Sequence, residues 1–334
     1  MNWISDDMLP VIFLGLMGVS MLLYAILDGY DLGIGILMSG ESELNRDNMI
    51  ASIGPFWDAN ETWLVLGVGV LLVAFPMAHG QILTALYLPV SMMLAGLILR
   101  GVSFDFRAKV GAKHKNLWDR LFSIGSMMAT LAQGYMLGKY IVGFETGFYA
   151  ELFSWVSAFC VSFAYVLIGA CWLVLKTSGE LQSSAIRWAR VTLMVTAFGL
   201  LLVSITNPLA SDAIYQRWLS WPQMLYLAPL PLGSLALIWF MNWHLGRMPY
   251  EQDRLCWLPF VLAICIYVLA FAGLAYSFYP YIIPQQLTVW EAAAAPESLR
   301  VVLIGCAVAL PAIFLYTGLS YWIFRGKSTS LSYV

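Results

Sequence analysis

Nine stretches of the sequence are mostly apolar for about as long as a helix needs to cross a bilayer: 8–36, 53–77, 80–104, 118–139, 150–175, 189–207, 222–244, 257–280 and 299–323. A membrane-spanning helix takes about 20 such residues. No soluble domain or low-complexity linker interrupts the series, and the longest polar stretch is Arg100 to Arg120. Hydrophobic residues make up 61% of the chain and charged residues 11%, against roughly 25% charged in soluble domains. So much apolar surface does not fit inside one soluble core. The expected fold is an all-α polytopic membrane bundle of about nine helices, a single integral membrane domain over 1–334. The weakest boundaries are near 50–60 and 77–80, where the second and third spans are joined by only a few residues.

Lysine and arginine in short loops stay on the cytoplasmic side and set orientation. With the N-terminus outside, fourteen of the 17 basic residues fall on the inner side, and only Lys139, Arg217 and Arg300 fall outside. An eight- or ten-span chain would break this bias. Tryptophans near span ends, such as Trp118, Trp172, Trp221, Trp243, Trp257 and Trp322, fit an interfacial belt. A cleavable signal peptide is not expected, since Asp6 and Asp7 stand where a basic segment belongs. The five cysteines form no CxxC pair and read as buried thiols. A net charge of −2 without a basic stripe argues against nucleic acid as a partner.

Ionisable groups are expensive inside lipid and mark paths or sites. Here they concentrate in the first three spans. "YAILDGYDLGIG" places Asp28 and Asp31 at the end of the first, "GPFWDANETW" places Asp58 and Glu61 early in the second, and Arg100 ends the third. At 1.5 Å per residue, Asp28, Asp58 and Arg100 all lie roughly 10–13 Å from mid-membrane on the same inner side. Asp31 lies far enough along to reach the headgroups. Asp28 and Asp31 are i, i+3, as are Asp58 and Glu61, so each pair shares a helix face. Gly29 and Gly33 form a small-xxx-small pattern that permits close helix approach. Two readings stand side by side. In one, Arg100 is the structural ion-pair partner of Asp28 or Asp58; in the other, the surplus acids line a proton path.

The three histidines, His79, His114 and His244, all fall near span ends, so a histidine-ligated haem within this chain is not expected. The sequence has no HExxH, P-loop or GxGxxG motif. It looks incapable of redox or hydrolytic chemistry alone.

Three ordered blocks, "LDGYDLGIG", "IGPFWDANETWLVLGVGVLLVAFP" and "ALYLPVSMMLAGLILRGVSFDFR", resemble subunit II of cytochrome bd-type quinol oxidases. The match is clearest over 24–107. Ala59 departs from the glycine of the family's "WDGNETW". The chain is short for the family and resembles its cyanide-insensitive subgroup. The resemblance implies a bacterial inner-membrane complex in which subunit I carries haems b558, b595 and d and oxidises quinol. Dioxygen is reduced to water with cytoplasmic protons, which builds a proton gradient. It implies a proton path near Asp58 and Asp28 and a dioxygen entry near Trp63; position in the sequence adds Glu61, Asp31 and Arg100 to that path and assigns Gly29, Gly33 and Trp57 to subunit packing. It also allows a structural quinone, bound lipid and small single-helix subunits. A stand-alone proton-coupled transporter and a pure scaffold subunit are the rival readings; the first should show broken helices in two repeats, and none is visible.

The charge bias makes a direct topological prediction. A reporter fused after Lys113 is expected to be active only on the cytoplasmic side; activity only outside would refute the nine-span arrangement.

Overall fold

The structure, a computed structural model, describes residues 4–250 and 253–328. Helix α1 (Met8–Leu37) is followed by the short α2 (Glu43–Ile53), whose N-terminus Ser42 caps by accepting from the Asn45 N–H. Next come α3 (Trp57–Ala74), α4 (Pro76–Lys109), α5 (Ala112–Ile141), α6 (Phe148–Lys176) and α7 (Gly179–Ala210). Short helices α8 (Asp212–Leu219) and α9 (Gln223–Leu227) lead to α10 (Pro229–Leu245) and α11 (Leu258–Phe278). A small antiparallel hairpin of β1 (Tyr281–Ile283) and β2 (Leu287–Thr288), with α12 (Val289–Ala292), precedes α13 (Pro296–Ile323).

Among the described residues, eight helical segments are long and apolar enough to cross a membrane. The remaining expected stretch, 118–139, is helical within the 30-residue α5, whose first turns are strongly polar. The expected second span is shorter than its apolar run. It is broken at Gly54–Phe56, so α3 starts only at Trp57. Its boundary with α4 is the single residue Phe75, and Pro76 starts α4 at a position where its missing N–H costs nothing.

Helix α1 lies at the centre, packed by α3, α5 and α6. It runs parallel to α6 with backbones in contact. A Cβ on Gly33 would lie 1.9 Å from the Tyr165 carbonyl oxygen, and one on Gly169 would lie 2.8 Å from the Ile34 nitrogen. On α4 and α5, Gly96 and Gly125 meet in the same way, and a Cβ on Gly125 would lie 2.9 Å from the Arg100 nitrogen. Inside lipid, helix association depends on this kind of close fit, because the hydrophobic effect does not favour helix over lipid tails. Gly29 and Gly33 therefore serve close helix approach inside this chain, against Tyr165 of α6. The glycines remove side-chain bulk on the face that α6 covers. Trp57 is likewise half-buried against Phe104 of α4, with ring centroids 4.7 Å apart.

Polar contacts close the two ends of the bundle. At one end Arg107 pairs with both Asp119 and Asp47, Arg46 with Asp119 and Lys115 with Asp47, joining α2, α4 and α5. The chain after α13 is fastened at the end of α6. Lys176 donates to the carbonyls of Phe324 and Gly326, and Lys327 pairs with Asp253 at 2.7 Å. Burial works against charge on Asp253, but Lys327 and Gln182 outweigh it and hold the carboxyl below the usual range. This clip is complete above the ordinary carboxylate range and is lost as pH falls through the lowered value. At the other end Asp6 pairs with Arg300, Trp290 donates to the Asp7 carbonyl, and Lys139 pairs with Glu151.

The glycine contacts give a test. Gly33→Ala is expected to force α1 from α6 and lower stability by about 1–3 kcal/mol, the usual cost of overpacking. Gly15→Ala, with no atom within 4 Å of the new Cβ, should leave the melting temperature of the purified protein unchanged. Equal melting temperatures for all three forms would refute the close-packing account.

Candidate functional site

Helix α1 presents Tyr24, Asp28 and Asp31 on one face, at i, i+4 and i+7 spacing. The first turns of α3 bring Asn60 and Glu61 against it, and α4 brings Arg100. Asp28, Asp31 and Arg100 are fully buried. Arg100 donates from one terminal nitrogen to Asp28 Oδ1 at 2.5 Å and to Glu61 Oε1. Three helices thus meet on a single guanidinium. The Glu61 side chain remains 29% exposed, so this centre has one edge at the chain's surface.

Asp31 is held separately. Asn60 donates from Nδ2 to Asp31 Oδ2 at 2.8 Å, to the Tyr30 hydroxyl at 2.9 Å and to the Leu27 carbonyl at 3.2 Å. The Tyr321 hydroxyl of α13 reaches Asn60 Oδ1 at 3.2 Å and lies 2.7 Å from that of Tyr30. Among the described residues, Asp28 Oδ2, Asp31 Oδ1 and the Arg100 Nε and Nη1 atoms have no hydrogen-bond partner. Three acids therefore surround one permanent cation. One guanidinium neutralises one carboxylate, and a second bare carboxylate at this depth would be costly. The arrangement is suited to holding an exchangeable proton.

The structure corrects several sequence expectations. Asp58 does not join the buried centre but lies exposed on the first turn of α3. The reason is the late start of α3 at Trp57, which makes Asp58 terminal and leaves Asn60 and Glu61 to face inward. Asp31 is not open at the end of its helix as a headgroup-level residue would be; α1 continues to Leu37, and Asp31 is enclosed. Arg100 pairs with Asp28 and Glu61, not with Asp58. Trp63, expected near a dioxygen entry, is 1% exposed and packs against Phe314 of α13 with centroids 5.1 Å apart.

Sequence reading missed the neutral members of the site: Tyr24, Tyr30, Gln133, Tyr165 and Tyr321. Tyr24 could have been found from its place four residues before Asp28. Gln133, Tyr165 and Tyr321 arrive from distant helices, and no local spacing announces them. Among the described residues, no group of three or more histidines, cysteines or acids could hold a metal ion.

Fold and site together define a polytopic helical membrane protein built around a buried acid–arginine centre. Residues 9–324 match the family model described as cytochrome bd terminal oxidase subunit II. The chain belongs to that family, which makes it a subunit of a terminal oxidase, an oxidoreductase. It is 27% identical to "Cytochrome bd-I ubiquinol oxidase subunit 2" of Escherichia coli K12, covering 98% of this chain and 97% of that protein. It is also 27% identical to "Cytochrome bd ubiquinol oxidase subunit 2" of Bacillus subtilis, covering 90% and 91%. The fold is similar to that of a chain in the bd oxidase structure from Geobacillus thermodenitrificans, with a TM-score of 0.75, 19% identity, and coverage of 93% of this chain and 98% of that one.

Removing one member of a buried ion pair costs about 3–5 kcal/mol, because it strands the other. Arg100→Gln is therefore expected to abolish assembly or lower the melting temperature of the purified complex by many degrees. A melting temperature equal to that of the unaltered protein would show that Arg100 does not hold the three helices together.

Proposed function

We propose that this chain is the haem-free second subunit of a quinol:dioxygen oxidoreductase in the bacterial cytoplasmic membrane, and that its acid–arginine centre supplies cytoplasmic protons for water formation. In this reading residues 1–334 act as one membrane domain, with the N-terminus outside and the C-terminus inside. The ubiquinol named for the two relatives supports quinol oxidation in the complex, and in this reading subunit I carries haems b558, b595 and d. A structural quinone, lipid and small single-helix subunits complete the assembly.

The carrying observation is the surplus of acids over the one arginine of this centre, with an edge at the surface. Asp58 is exposed, Glu61 follows one turn further along α3 and is partly exposed, and Arg100, Asp28 and Asp31 lie behind them. This order supports a path from Asp58 through Glu61 toward the interior. Reduction of dioxygen to water consumes one proton per electron, so turnover slows when delivery is cut. Trp63, buried beside Phe314, is the residue we assign to the dioxygen route. A scaffold role is the second reading, favoured by the way Arg100 ties α1, α3 and α4 together.

Asp58→Asn separates them, because it keeps shape and removes the titrating group. At matched haem content, we expect quinol-driven oxygen consumption to fall about a hundredfold, the lower end of the effect of losing an acid–base group. Undiminished consumption would defeat the proton role of Asp58. Loss of haem or of the partner subunit would favour the scaffold.

A further inference from the structure

The buried Asn60 of α3 is held by groups from α1 and α13, and these fix which way its amide points. Its Nδ2 donates to Asp31 Oδ2 at 2.8 Å, to the Tyr30 hydroxyl at 2.9 Å and to the Leu27 carbonyl at 3.2 Å. Its Oδ1 accepts from the Tyr321 hydroxyl at 3.2 Å. Reversing the amide would turn its oxygen toward the Leu27 carbonyl, which can only accept. The reversed amide would lose that bond and meet a repulsion in its place. With the Tyr321 proton directed to Asn60, the 2.7 Å contact between the two tyrosine hydroxyls takes the Tyr30 proton. A closed ring results: Asn60 donates to Tyr30, Tyr30 to Tyr321, and Tyr321 back to Asn60. The second amide hydrogen serves Asp31, with Leu27 sharing the longer contact.

Tyr321 is placed by its ring as well as by its hydroxyl. The ring stacks on Phe56, the residue before α3, with centroids 4.5 Å apart, and meets Trp172 of α6 edge-on at 5.9 Å. Three residues further on, Lys176 of α6 holds the Phe324 carbonyl. Tyr321 therefore joins α13 to the start of α3 at two points, Phe56 and Asn60.

Among the described residues, Arg100 pairs with Asp28 and Glu61 and not with Asp31. The charged and titratable groups facing Asp31 are Asp28 and Tyr30 from α1, Glu61 from α3, Arg100 from α4 and Tyr321 from α13. A bare carboxylate so enclosed is expensive. A carboxylic acid carries its proton on one oxygen and accepts on the other. The Asn60 N–H occupies Oδ2, and Oδ1 has no hydrogen-bond partner among the described residues. We propose that Tyr321 is a positioning residue of the proton-supply site: through Asn60 it fixes Asp31 Oδ2 as an acceptor and leaves Oδ1 as the oxygen that carries the exchangeable proton. The inference deepens the proton-supply reading and rests on it for any link to turnover.

The test is infrared spectroscopy of the intact purified complex with carbon-13-labelled aspartate. The unaltered complex should show a protonated-carboxyl band that is lost in Asp31→Asn. Tyr321→Phe keeps the ring on Phe56 and Trp172 and removes only the hydroxyl. At unchanged haem content it should shift the Asp31 band and slow quinol-driven oxygen consumption several-fold. Asn60→Leu should shift the band further, and adding Tyr321→Phe to it should move the band no more, because the hydroxyl acts through Asn60. Absence of an Asp31 band from the unaltered complex overturns the assignment of the proton. An unmoved band in Tyr321→Phe, which decides the matter alone if Asn60→Leu does not assemble, overturns the positioning role. A further shift in the double variant overturns the route through Asn60. If the band shifts as stated while Tyr321→Phe and Asp58→Asn both turn over normally, the proton-supply reading fails and the positioning of Asp31 stands.

Discussion

A single guanidinium shared by two carboxylates holds the functional half of this chain together. Arg100 is fully buried and bonds Asp28 of α1 and Glu61 of α3 through the same nitrogen. In a low-dielectric interior, attraction between such charges is strong, but so is the penalty for taking them out of water. The pair is tolerable only if all three side chains arrive together. That requirement fixes the depth of α1, α3 and α4 relative to one another more tightly than their apolar surfaces could.

The glycines make this convergence possible. A long side chain on α4 must reach α1 without opening a gap at the α4–α5 contact. Gly125 lets α5 lie directly against the backbone at Arg100, where a Cβ would be 2.9 Å from its nitrogen. Gly33 and Gly169 bring α6 equally close to α1, and so set Tyr165 beside the α1 face that carries Asp28. Small residues here are the means by which polar groups from separate helices come within hydrogen-bonding range.

Much of this was legible in the sequence, for a physical reason. Apolar length and the Lys and Arg bias are one-dimensional quantities, and so are the depths of charged residues along a helix. They were enough to bring out Asp28, Glu61 and Arg100. What they lack is rotation about the helix axis and the true start of each helix. Asp58 shows both gaps: the apolar run placed it inside the second span, but α3 begins one residue earlier and turns it outward. Asp31 failed in the opposite sense, because its cover comes from Asn60 and Tyr321 and no local pattern predicts that. Gln133 and Tyr165 carry no charge, so a search for expensive groups in lipid passes over them.

The position of α13 follows from the same physics. Its apolar residues Val301, Ile304, Val308, Leu315 and Leu319 are all exposed, and it packs only lightly against the rest of the bundle. Apolar surface gains little by leaving lipid tails for protein, so this surface does not fix where α13 sits. Directional contacts do. Arg300 pairs with Asp6 at one end, the carbonyls after Ile323 accept from Lys176 at the other, and Tyr321 bonds Asn60 between them. Asn60 is also the donor that holds Asp31. The register of the last helix and the setting of a buried acid on the first are therefore tied through one amide. Displacing α13 would change the polar surroundings of Asp31 as well as the contact between Trp63 and Phe314.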